Sequence, residues 1–99
     1  MKKIMLCCSA GMSTSLLTNN MRKNAQPGDE VDAVPVSELE HNIDKYDVIL
    51  LGPQIRFKLK DVEKLATARG KKAGVIDMRA YGMMDGKAAM AQARQLAAG

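Results

Sequence analysis

Apolar and polar positions repeat along this chain with two periods, one suited to strands and one to helices. Four short apolar segments, Lys3 to Cys7, Glu30 to Pro35, Asp47 to Leu51 and Ala73 to Asp77, predict strands. Asp47-Val48-Ile49-Leu50-Leu51 is a continuous run closed by Gly52-Pro53, the pattern of a parallel strand covered on both faces. Between the strands the period lengthens. Leu16, Leu17 and Met21 share one face of a helix predicted over Thr14 to Asn24, with N-cap residues in Ser13-Thr14-Ser15 and a stop at Gln26-Pro27-Gly28. Ser37-Glu38-Leu39-Glu40 has the spacing of a capping box and predicts a short helix reaching Ile43. Ile55, Leu59, Val62, Leu65 and Ala66 recur at helical spacing between Gly52-Pro53 and Gly70. Asp85-Gly86-Lys87 opens an Ala-rich helix through Ala98 that buries Met90, Ala93, Leu96 and Ala97. Strands alternating with helices predict an α/β domain with a four-stranded parallel sheet and helices on both faces, three layers in all.

Composition narrows the function classes. Ninety-nine residues at 46% hydrophobic content fit one core, so a single domain over residues 1–99 is expected. Apolar runs fall far short of the roughly 20 residues a bilayer span needs, and Met1-Lys2-Lys3 leads directly into a strand. A cytoplasmic protein without direct membrane insertion is expected. Cys7 and Cys8 are vicinal on a strand, point to opposite faces, and are expected reduced. With His41 the single imidazole, no zinc set is expected, so the metal expectation is none. The absence of Walker A and G-x-G-x-x-G patterns argues against ATP or dinucleotide binding, and no cofactor is expected. The formal charge of +4 is spread among interspersed acids, and the aromatic residues are Tyr46, Phe57 and Tyr81 alone. That is no nucleic-acid surface. A mildly positive face suits an acidic or phosphorylated protein partner instead.

The chemistry concentrates in Cys8-Ser9-Ala10-Gly11-Met12-Ser13-Thr14-Ser15, where a cysteine ends an apolar strand and small residues follow at the start of a helix. Backbone N–H groups of such a loop converge, and the helix dipole adds positive potential. A thiol placed there ionises readily, and the thiolate is its reactive form. Cys8 is therefore the candidate nucleophile, while Cys7 belongs to the strand interior. Ser13, Thr14 and Ser15 serve equally as helix caps or as phosphate donors, since both use one geometry. His41 sits beside Glu38 and Glu40 on a short exposed helix and reads as a solvated residue. Arg79 follows the fourth strand and reads either as a contact to a phosphorylated partner or as surface decoration. Met12 and Met83-Met84 are candidates for an apolar docking rim.

The run Cys8 to Leu17, with Leu50-Leu51-Gly52-Pro53-Gln54-Ile55, resembles the IIB components of the lactose/cellobiose (chitobiose) family of the bacterial phosphotransferase system. The resemblance extends to the spacing of the strands, to Val75-Ile76-Asp77, to Tyr81-Gly82 and to the Ala-rich last helix. It implies a sheet ordered 2-1-3-4 in a monomeric subunit, on a fold similar to low-molecular-weight tyrosine phosphatases and flavodoxin-like proteins. In such a doubly wound sheet the ligand crevice opens where strand order reverses, between the first and third strands, facing Cys8 to Ser13 and Gly52-Pro53-Gln54. It further implies that Cys8 takes a phosphoryl group from a phosphohistidine of a IIA component. On the same resemblance, Cys8 would then pass it to a β-glucoside-type disaccharide (cellobiose, chitobiose or lactose) held by a membrane IIC component. Ser9, Ala10, Gly11, Met12, Ser13, Thr14 and Ser15 would cradle the phosphate, Gln54 would be a neighbour, and the subunit would sit at the membrane through IIC.

An S-phosphate carries about two negative charges near neutral pH and needs several donors and no adjacent carboxylate. The Cys8–Ser15 run holds no Asp or Glu. The alternative is a cysteine phosphatase or an arsenate-reductase-like enzyme, whose loop places an arginine six residues after the cysteine. Here that position is Thr14. Without a guanidinium to clamp the phosphoryl oxygens, a phosphocysteine resists hydrolysis, as a carrier requires. A third reading, a non-catalytic module of flavodoxin-like shape, leaves Cys8 without a role.

Overall fold

A computed structural model describes residues 2–8 and 11–98, with the backbone alone at Cys8 and over residues 11–15. The chain runs β1 (Lys3–Cys8), α1 (Gly11–Lys23), β2 (Glu30–Pro35), α2 (Leu39–Asn42), β3 (Val48–Leu51), α3 (Leu59–Ala68), β4 (Lys72–Val75), α4 (Met78–Gly82) and α5 (Gly86–Ala98). Tight 3-10 turns at Val36–Glu38 and Ile43–Lys45 flank α2, and another at Pro53–Lys58 precedes α3. All strand pairs are parallel and the order is β2-β1-β3-β4, as the resemblance implied.

Side chains on successive strand positions alternate between the two faces, which gives the sheet two cores. Ile4, Leu6, Val48 and Leu50 pack with Leu17 and Met21 of α1 and with Ala89, Met90 and Ala93 of α5. Met5, Cys7, Ile49 and Leu51 pack on the other side with Leu39, Ile43, Ile55, Val62 and Ala66. The result is the expected three layers. All four β3 residues are buried, as their unbroken apolar run required. One glycine has a steric reason: a side chain at Gly86 would collide with the Asn20 backbone, so α5 crosses α1 in close contact only because that position is bare.

Several boundaries differ from the sequence reading. The helix after β1 begins at Gly11 instead of Thr14, so Ser13, Thr14 and Ser15 lie inside its opening turns and not at its N-cap. Ser37 forms no capping box. The chain tightens into a 3-10 turn directly from Pro35, which puts Ser37 within that turn, and α2 has no side-chain cap. The fourth strand is Lys72–Val75, not Ala73–Asp77, because Asp77 is the N-cap of the unexpected helix α4 and accepts from the Ala80 N–H at 3.0 Å. Ile76 still donates its N–H to the Leu51 carbonyl at 2.9 Å, so the ladder extends one residue past the strand.

Candidate active site

The C-terminal ends of the strands meet on one edge. Cys8 is the last residue of β1, in register with Pro35 of β2, and α1 starts three positions later at Gly11. The first four N–H groups of a helix have no partner within it, so the α1 terminus presents donors on this edge. Ser9 and Ala10 lie outside the described residues, as do the side chains of Cys8 and of Met12, Ser13, Thr14 and Ser15. Cys7 is completely buried in the α2/α3-side core, as a strand-interior thiol should be.

The turn after β3 approaches the same edge. Gly52 donates its N–H to the Cys7 carbonyl at 2.8 Å, and Ile55, buried and bonded to the Gly52 carbonyl at 3.1 Å, anchors the following 3-10 segment. Gln54 stands exposed between them. Its Nε2 donates to the Tyr81 hydroxyl at 2.7 Å, joining the loop after β3 to α4 after β4. The Tyr81 ring packs against the α1/α5-side core. Tyr81-Gly82 carries part of the family resemblance, yet no periodicity or motif in the sequence places Tyr81 beside Gln54. Only the unforeseen helix α4 brings it across to Gln54.

Asp77 is the carboxylate on the β4 side of this edge, and it is engaged with the Ala80 N–H. Arg79 is exposed on α4, and the Arg56 guanidinium lies 4.0 Å from Met78 Sδ, so the segments after β3 and β4 touch. Phe57, Met78, Met83 and Leu16 are all more than half exposed, at 75, 64, 71 and 54%. Of the methionines read as a docking rim, Met83 is exposed, whereas Met84 packs against the α1/α5-side core and the Met12 side chain lies outside the described residues. His41 is exposed on α2.

Among the described residues an open groove of about 700 Å³ runs along β4, lined by Thr67, Lys71, Ala73, Gln92 and Leu96. β4 is the outer strand, separated from β1 by β3, so this groove does not belong to the cysteine edge. The tyrosine whose titration is raised, Tyr46, is also remote. Burial, followed by its hydrogen bond to Asp32 and that group's charge, pushes it up to about 12. Among the described residues there is no cluster of three or more metal-ligating side chains, and no helix is long and apolar enough to cross a membrane.

The fold defines a doubly wound parallel α/β domain whose strand order reverses at β1, the strand that ends in the cysteine. The family model of the lactose/cellobiose-specific IIB subunit of the PTS system matches residues 3–92. The chain is 46% identical over 99 residues to the oligo-beta-mannoside-specific EIIB component of Bacillus subtilis (strain 168), covering 97% of this chain and 96% of the relative. It is 40% identical over 103 residues to the cellobiose-specific EIIB component of Lactococcus lactis subsp. lactis (strain IL1403), covering 96 and 95%. The galactose-specific EIIB component of Lactococcus lactis subsp. cremoris (strain MG1363) gives the same figures. Among solved structures, the cellobiose-specific IIB component of Borrelia burgdorferi superposes with a TM-score of 0.70 at 31% identity, covering 96 and 94%. The lactose-specific IIB domain of Streptococcus pneumoniae shares the fold, with a TM-score of 0.84 at 16% identity over 96% of both chains.

The chain therefore belongs to the lactose/cellobiose-specific IIB family of the sugar phosphotransferase system. Components of this class are phosphotransferases that work with IIA and IIC partners.

Proposed function

We propose that Cys8 is the phosphoryl carrier of this IIB component. The thiolate attacks the phosphorus of a IIA phosphohistidine in line; the S–P bond forms as the N–P bond breaks, and the imidazole keeps the electron pair. A sugar hydroxyl on IIC then attacks the same phosphorus and loses its proton. The S–P bond breaks and the thiolate is regenerated. Position and electrostatics supply the catalysis.

The observation that carries this reading is the backbone position of Cys8 at the end of β1, three residues before the first residue of the 13-residue helix α1. Ser9, Ala10, Gly11, Met12, Ser13, Thr14 and Ser15 form the phosphate cradle in this proposal, and Gln54 borders it. Residues 1–99 act as one monomeric domain at the cytoplasmic face of the membrane, held there through IIC. The accepted sugar is a β-linked disaccharide or short oligosaccharide, supported by the oligo-beta-mannoside and cellobiose names of the relatives. Family membership and Thr14 at the arginine position both favour the carrier over the phosphatase or arsenate-reductase alternative.

Reconstitution tests this. Wild type and Cys7→Ser, supplied with phosphorylated IIA and membranes containing IIC, are expected to phosphorylate cellobiose or mannobiose. Cys8→Ser is expected to form no sugar phosphate, and full turnover by that variant would refute the carrier role.

A further inference from the structure

The sheet has two outer strands, and they are finished differently. On β2 the Val31 carbonyl accepts from Arg22 Nε at 2.9 Å, Arg22 Nη2 meets Asp32 at 3.1 Å, and Glu30 adds a second acid. On β4 the backbone alternates. Lys72 and Ile76 send their N–H groups inward to the Asp47 and Leu51 carbonyls, at 3.2 and 2.9 Å, so Ala73, Val75 and Asp77 turn theirs outward. Gln92 of α5 takes the far end of this outward row. Its Nε2 donates to the Val75 carbonyl at 2.7 Å, and its Oε1 accepts from the Asp77 N–H at 2.9 Å. A side-chain amide thus pairs with β4 as a fifth strand would. Ala73 is left over: its N–H and carbonyl face the groove of about 700 Å³ along β4 and meet no partner among the described residues.

Open backbone groups on an outer strand are a template for an added strand. The groove supplies walls for its side chains, which alternate between the two faces of the sheet. Leu96 of α5 packs over Gly74 on one side, and Thr67 of α3 stands on the other. Charge selects the kind of segment. Lys71 and Lys72 line the groove beside Glu63, and Lys60 and Lys64 stand on the adjoining face of α3, so positive charge predominates. The β2 edge, with Glu30 and Asp32, is of the opposite sign. We propose that the outer edge of β4 binds an extended acidic segment of a partner protein, which pairs with Ala73 as a fifth strand and sets its carboxylates among the lysines around the groove. Gln92 marks where that pairing stops.

The probe is a short synthetic peptide of alternating glutamate and valine, capped at both ends and titrated into the full chain labelled with ¹⁵N. The amide resonances of Ala73 and Val75 are expected to shift and their hydrogens to exchange more slowly, with the amides of β2 unmoved. N-methylation of the peptide at alternate residues separates pairing from charge, because only one of the two alternate sets faces β4. Methylating that set is expected to weaken binding about tenfold, the scale of two lost backbone hydrogen bonds, while methylating the other set leaves the affinity unchanged. Lys64→Glu, a change at an exposed position of α3, is expected to weaken binding about threefold, the scale of an exposed charge pair. No shift at Ala73, equal affinity for the two methylated peptides, or equal affinity for a lysine–valine peptide overturns the proposal. Concentration-dependent shifts at Ala73 without peptide overturn it as well, because a second copy of the chain then occupies the edge.

Discussion

The backbone N–H of Gly52 donates to the carbonyl of Cys7 at 2.8 Å, so the residue before the candidate nucleophile is tied to the turn that carries Gln54. Cys7 itself is fully buried in the α2/α3-side core. Replacing it with serine puts a hydroxyl among apolar side chains, at a penalty of about 1–3 kcal/mol. Cys7→Ser is therefore expected to unfold at a lower urea midpoint yet accept phosphoryl at the wild-type stoichiometry. A loss of labelling with unchanged stability would contradict this division of roles between the two cysteines.

Thr14 occupies the position where the phosphatase-type loop carries arginine, and it lies in the first turns of α1. Supplying the guanidinium with Thr14→Arg places a bidentate clamp and positive charge near the phosphoryl oxygens. The half-life of the phosphocysteine after removal of IIA is expected to shorten by about tenfold or more, the scale of one added transition-state contact. Mass spectrometry against time measures it. A half-life equal to or longer than wild type would show that the missing arginine does not explain the carrier's resistance to water.

Gly86 is where α5 rests on the backbone of Asn20 and Met21. Gly86→Ala must push two helices apart and is expected to destabilise the fold by about 3 kcal/mol, the upper range for overpacking. Gly82→Ala is the control, because a methyl group there meets nothing within 4 Å. Urea denaturation of the pair is expected to show a large loss for the first and almost none for the second.

Asp29 fastens three parts of the molecule. Its carboxylate accepts from the N–H groups of Lys2 at 2.9 Å and Gln26 at 3.1 Å, and Arg94 of α5 lies 3.5 Å away. Burial acts to raise its pKa, but the hydrogen bonds from Gln26, Lys2 and Arg94 outweigh that and hold it below the ordinary carboxylate range. A pKa depressed by folding contributes stability above the unfolded value, roughly 3.9, and that contribution is lost as pH falls through the folded value. Wild type is therefore expected to lose stability between pH 5 and pH 3, while Asp29→Asn starts lower at pH 7 and falls less over the same interval. Urea midpoints at pH 7, 5 and 3 check both arms.

Most of the architecture was legible because it rests on local periodicity. The Val48–Leu51 run could be buried only as a covered strand, and Leu17 with Met21 marked the inner face of α1. The segment after β4 was misread because Ile76 and Asp77 look like strand residues until one sees that Asp77 turns its carboxylate onto the Ala80 N–H. Ser37 misled for the converse reason: a capping-box spacing carries no weight once the chain tightens into a 3-10 turn at Val36. The cysteine motif was read as the end of the first strand, and the Cys8 backbone does end β1. The bond between Gln54 and Tyr81 was invisible there, since 27 residues separate them and only the docking of α4 brings them together.

Whether one sulfur atom holds the phosphoryl group is decided by peptide mapping of the protein after incubation with phosphorylated IIA. The account predicts a single added phosphoryl group on the peptide that begins at Ile4 and contains both cysteines, fragmenting to Cys8, and no modification in Cys8→Ser. A phosphoryl group found on His41, on Cys7 or on any hydroxyl of the Ser9–Ser15 run would contradict it.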